Sequence, residues 1–86
     1  MSALPLPPVA QLAANALQLT NEGTVRMPTN VLQQLWQSLD AMNPAQRAIE
    51  GQGLIVVAGR LSKGDAAQVS DGFAQLALLV TVASRP

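Results

Sequence analysis

Neither cysteine nor histidine occurs anywhere in this 86-residue chain, and that double absence constrains its folding more than any motif it contains. A domain of this size buries only about 60% of the surface its unfolded chain exposes, so small domains commonly add disulfides, a metal or a partner. Without cysteine the first is impossible. A zinc site would have only carboxylates to draw on, and the chain has five acids in all. Association is the remaining route to extra stability, and no cofactor is expected.

The charge balance points the same way. Five basic and five acidic residues give a net charge of zero, with only 12% of residues charged. A surface this close to neutrality invites association. It also lacks the field on which non-specific binding to DNA or membranes rests. Apolar residues make up 49% of the chain, too many for a disordered tail. Ala and Leu dominate that fraction and favour helices. The two aromatics, Trp36 and Phe73, make no platform for stacking bases or sugars.

Met1 to Pro8 has no basic stretch and no unbroken apolar run, so no secretion signal is expected. A membrane span needs about 20 apolar residues. The best run, Phe73 to Ala83, has 11 and includes Gln75. No span is expected, and the anticipated setting is the cytoplasm or a soluble assembly.

Proline and glycine punctuate the chain into four helices. Pro5, Pro7 and Pro8 make residues 1–8 an extended, Pro-rich leader, and Pro8 suits the first turn of a helix, where its missing N–H is not needed. A first helix over about 8–19 follows, with Val9, Leu12, Ala13, Ala16, Leu17 and Leu19 on one face and Gln11, Asn15 and Gln18 opposite. Thr20 to Gly23 stops it, Asn21 and Gly23 being suited to positive φ. Thr24 to Met27 reads as a linker, with a three-residue strand as the other option. Thr29 or Asn30 can cap a second helix to Met42, whose inner stripe is Val31, Leu32, Leu35, Leu39 and Met42.

Asn43-Pro44-Ala45-Gln46 is a helix start, with Asn43 as cap and Pro44 at the first helical position. The third helix is expected to reach Leu61 and to be the weakest element. Gly51, Gly53 and Gly59 each cost about 1 kcal/mol against alanine, and Leu54-Ile55-Val56-Val57-Ala58 suits a buried strand as well as a helix. No segment nearby offers it a strand partner. Asp65 caps a last helix over about Ala66 to Ser84, apolar nearly all round. Val69, Phe73, Leu76, Ala77 and Val80 form its inner side on this reading, and Leu79 and Val82 point away. The fold expected is all-α: one small domain over residues 1–86, a bundle or orthogonal array of about four helices.

No motif carries chemistry. Pro5 and Pro8 have the Pro-x-x-Pro spacing of SH3 ligands but no flanking arginine before Arg26, so a stiff leader is the better reading. Gly51-Gln52-Gly53 lacks the third glycine of a dinucleotide fingerprint, and Gly59-Arg60-Leu61-Ser62-Lys63-Gly64 has P-loop residues in the wrong order. Close packing or turns suit those glycines better. The acids Glu22, Asp40, Glu50, Asp65 and Asp71 are scattered, and Glu50 is placed to pair with Arg47 along a helix. Arg47, Arg60 and Lys63 can gather on one face, which is thin material for a nucleic-acid interface.

A non-enzymatic structural or adaptor subunit is therefore expected, acting through protein contacts in an oligomer or larger assembly. A small virion component, an accessory subunit or an inhibitor would all fit. The rival is a small DNA-associated helical regulator, although nucleic acid is disfavoured. Catalytic, cofactor and metal sites are expected to be absent, with no small-molecule substrate. The expected interface residues are Trp36, at the edge of the second helix's stripe and of a type enriched at hot spots, and Leu79 and Val82.

Overall fold

The computed structural model describes residues 5–86; residues 1–4 of the leader lie outside the described part. Helix α1 (Pro8–Ala16), strands β1 (Gln18–Leu19) and β2 (Val25–Arg26), and helices α2 (Thr29–Asp40), α3 (Pro44–Leu61) and α4 (Ala66–Ala83) follow in order. Among the described residues, four helices and one small antiparallel hairpin make a mostly helical bundle. The run Leu54 to Ala58 lies within α3.

Three local expectations need correction. The first helix ends at Ala16, not Leu19, because Leu17 turns extended and Gln18 and Leu19 pair with Arg26 and Val25. Thr24 to Met27 is thus half strand, not a bare linker. The hairpin closes where Thr20 N–H donates to Thr24 O at 2.7 Å and Gly23 N–H to Thr20 O at 3.0 Å. Gly23 has φ +83°, the left-handed geometry that a short hairpin loop requires and glycine adopts without strain. Thr29 opens α2 and does not cap it, since Pro28 occupies the preceding position with no side-chain cap. Asn43 does cap α3, its Oδ1 accepting from Gln46 N–H at 2.9 Å.

The molecule is a slab of 37 × 35 × 17 Å. Seventeen ångströms is about two helix layers at the usual 8–10 Å spacing, so every helix keeps one side out of the core. The core joins Val9, Ala10 and Ala13 of α1, Leu35 and Leu39 of α2, Leu54 and Val57 of α3, Leu76, Leu79 and Val82 of α4, and Met27. Val31, Leu32 and Met42 pack against it as expected, half-buried. Leu12 and Leu19 do not, and stand exposed.

Two charged side chains of α3 hold other helix ends. Glu50 is buried, and its Oε1 accepts from Val9 N–H at 3.0 Å and Ala10 N–H at 3.1 Å. Those are first-turn donors of α1, which has no side-chain cap of its own. A carboxylate there also meets the positive end of the helix dipole. Arg47 donates from Nη1 to Met42 O at 2.8 Å and from Nη2 to Arg85 O and Pro86 O at 3.3 and 3.0 Å. One guanidinium thereby ties the end of α2 to the end of α4. The expected Arg47–Glu50 pair does not form, because each side chain serves a different helix terminus. The ion pair found among the described residues is Arg85–Asp40 at 3.8 Å, between exposed side chains.

Gln75 does comparable work on the hairpin side. Its Oε1 accepts from Met27 N–H and its Nε2 donates to Met27 O, both at 2.9 Å, so a buried amide completes the main chain at the end of β2. Gly53 lets the leader and α1 close on α3: a Cβ there would sit 2.6 Å from Pro7 Cγ and 2.7 Å from Ala10 Cβ.

Two experiments test these assignments. Glu50→Ala strands two helix-start donors in the interior and should lose about 1–3 kcal/mol of unfolding free energy. Glu50→Gln retains an acceptor but no charge, so its loss should be smaller. Urea denaturation read by circular dichroism gives both values. Gly53→Ala should destabilise by about 1–3 kcal/mol through overpacking. Gly59→Ala, where a Cβ meets nothing within 4 Å, should stabilise by about 1 kcal/mol. Equal effects at the two glycines would contradict the close approach at Gly53.

Candidate interaction surface

Helices α3 and α4 form the most extensive helix pair in the molecule. The short connection Ser62–Asp65 makes them antiparallel neighbours. Asp65 Oδ1 accepts from Ala67 N–H at 2.9 Å to start α4, and Ser62 Oγ donates to Gly59 O at 2.9 Å to finish α3.

On α4 the buried residues are Val69, Gly72, Gln75, Leu76, Leu79, Val82 and Ala83. This stripe is turned by roughly 90° from the expected one, at 100° per residue. The correction bears directly on the expected interface. Leu79 and Val82 are 0% and 1% exposed and belong to the chain's own core, whereas Phe73, assigned to the inner side, is 44% exposed. The hairpin decides the rotation. A Cβ at position 72 would lie 2.8 Å from Val25 O, so only the face bearing Gly72 lets β2 approach, and only Gln75 on that face completes Met27.

What α4 turns outward instead is Phe73, Ala74, Ala77 and Leu78, beside Ser70, Asp71 and Thr81, while α3 turns out Ile55, Val56 and Gly59 beside Gln52 and Arg60. Between them lies a groove of about 420 Å³ walled by Ile55, Ala58 and Gly59 on one side and Phe73, Ala77 and Val80 on the other, with Ser62 at its end. Phe73 separates it from a second recess of about 310 Å³ over Ala66, Val69, Ser70 and Ala74. No charged residue lines either hollow.

The third expected interface residue, Trp36, stands apart on α2, 37% exposed beside Gln33, Gln37 and Asp40. The structure does not bring the three together. The surface it does assemble was missed because α4 is apolar nearly all round, which leaves periodicity little to choose between. Gln75 was the available signal: a lone polar residue in an apolar run marks the side where a main chain needs it.

The remaining polar groups do not converge. Arg47 is buried on main-chain oxygens, so of the three cations grouped by sequence only Arg60 and Lys63 face solvent. Among the described residues no three His, Cys, Asp or Glu side chains gather as a metal site. A larger hollow of about 520 Å³ lies along the hairpin, lined by Gln18, Thr20, Glu22, Arg26 and neighbours, all at least partly solvated. By length and composition α4, 18 residues at mean hydropathy 1.3, is apolar enough to cross a membrane. The core helix of a globule passes the same test, and one long side of α4 is packed in this core.

No family model matches this chain, and no curated protein or solved structure does either.

Proposed function

We propose that this chain is a non-enzymatic structural or adaptor subunit that works through protein contacts made by its α3–α4 face. The observation that carries the reading is the uncharged apolar groove between those helices, open to water and walled by Ile55 and Phe73. Full burial of side chains of this size is worth about 1.5–3 kcal/mol each. Ile55, Val56, Phe73 and Leu78 are 38–57% exposed, so each forgoes a substantial part of that in the isolated chain. The sum is large beside a total stability of order 5 kcal/mol for a small domain. A slab two layers thick cannot cover these residues itself. A protein partner can.

The reading also agrees with the neutral surface. Rim charges of one sign would steer a nucleic acid or an oppositely charged ligand. This face has none in its groove, and with Arg47 sequestered no basic stripe remains for a DNA-associated regulator.

Phe73→Ser and Ile55→Gln should leave the circular dichroism spectrum and melting cooperativity intact while abolishing the complex recovered from the native source. Leu79→Gln and Val82→Gln should instead destabilise the chain by about 2–4 kcal/mol, through a lost core contact and a buried amide. An intact complex after both Phe73→Ser and Ile55→Gln would sink the proposal. So would tight duplex-DNA binding by the wild type that weakens steeply with salt.

A further inference from the structure

We infer that Pro7 and α1 form a strap that opens as a unit while the β1–β2 hairpin and the other three helices stay folded, with the Glu50 carboxylate as its latch. This conformational device goes beyond the proposed use of the α3–α4 face and does not depend on it.

Little besides Glu50 holds α1 down. Its nine residues include no charge and no side-chain cap, and a free helix of that length is marginal in water. To the buried core it contributes Val9, Ala10 and Ala13, so only one of its fully packed side chains is larger than a methyl group. Leu12, the largest side chain it has, is 56% exposed. Toward its end a hollow of about 310 Å³ opens between Ala14 and Leu17 on one side and Val57, Arg60 and Leu61 on the other. That half of the seam with α3 is not closed. Among the described residues, the hydrogen bonds from α1 to another helix are the two that Glu50 Oε1 accepts, from Val9 N–H and Ala10 N–H. Opening returns the carboxylate and both donors to water, which offsets much of the loss.

The remainder of the molecule has ties of its own. Gln75 fastens the hairpin to α4 through both main-chain groups of Met27, and Gly72 lets β2 sit close against that helix. Arg47 joins the ends of α2 and α4 without any contribution from α1. Leu17 marks the hinge. Its backbone is extended, and its Cδ2 lies 3.1 Å from where a Cβ at position 72 would stand, so it stays with α4 and the hairpin. Release of the strap uncovers the side of α3 that carries Gly53, now covered by Pro7 and Ala10, and Val57, now beside Ala14. Access to that side of α3 is therefore set by the latch.

Residue-resolved amide exchange of the full chain, followed by NMR in low concentrations of urea, tests the inference. The amides of Leu12 to Ala16 should exchange at least about tenfold faster than those of Leu76 and Leu79. Their rates should hardly respond to urea, because opening the strap exposes little surface, whereas those of Leu76 and Leu79 should rise steeply. Glu50→Gln keeps an acceptor but removes its charge, and should speed the α1 amides about tenfold more. Val69→Ala loosens the core beside Gly64, outside the cluster to which α1 belongs. It should speed Leu76 and Leu79 several-fold and leave α1 as it was. Exchange in α1 that follows Leu76 and Leu79 through urea and through Val69→Ala means that α1 opens only with the whole molecule, and overturns the strap. Urea-independent opening of α1 that neither Glu50→Gln nor Glu50→Ala accelerates overturns Glu50 as the latch.

Discussion

A helix start leaves four N–H groups without partners, and in this protein the opening turns of α3 supply partners for the start of one helix and for the main chain just past the ends of two others. Glu50 receives the start of α1, and Arg47 receives the ends of α2 and α4. Both side chains are buried, and a buried charge is tolerable only when hydrogen-bonded. Each therefore needs its helix end as much as the helix end needs it. The arrangement is directional in a way that apolar packing is not: it sets which terminus lies where. It is not saturated, since Arg47 Nε lacks a partner.

The rest of the architecture follows from how closely elements can approach α3 and α4. Gly53 admits Pro7 and Ala10, and Gly72 admits the β2 backbone. With α1 and the hairpin drawn in on small residues, 82 described residues form a slab two layers thick. A thin slab exposes much of every helix. In α1 and α2 that exposed side is largely polar, with Gln11, Asn15, Gln33, Gln34 and Gln37. In the α3–α4 pair it carries Ile55, Val56, Phe73 and Leu78 among fewer polar groups, Gln52, Ser70 and Thr81 with Arg60 and Asp71. The same compaction that satisfies the helix ends leaves one apolar face without cover.

That asymmetry gives the expected need for association a location. The uncharged groove and the neutral chain support the proposed subunit that meets other protein. The buried polar groups Arg47, Glu50 and Gln75 are occupied with the fold's own main chain.

Helix number, the starts at Pro8, Pro44 and Ala66, the turn at Gly23 and the α2 stripe were all readable from the chain. Each rests on local chemistry: a fixed proline φ, a cap one turn from its donor, a glycine at positive φ, or a 3.6-residue repeat with polar residues opposite. The β1–β2 pairing, the roles of Glu50, Arg47 and Gln75, and the orientation of α4 were not readable. Glu50 and Val9 are 41 residues apart, and Gln75 and Met27 are 48 apart. No local pattern links residues at such distances. For α4 the apolar residues run nearly all round, which leaves periodicity little to choose between. The choice of Leu79 and Val82 for the core, with Phe73 left at the surface, was made by Gly72 and Gln75, the two residues that allow and complete the approach of β2.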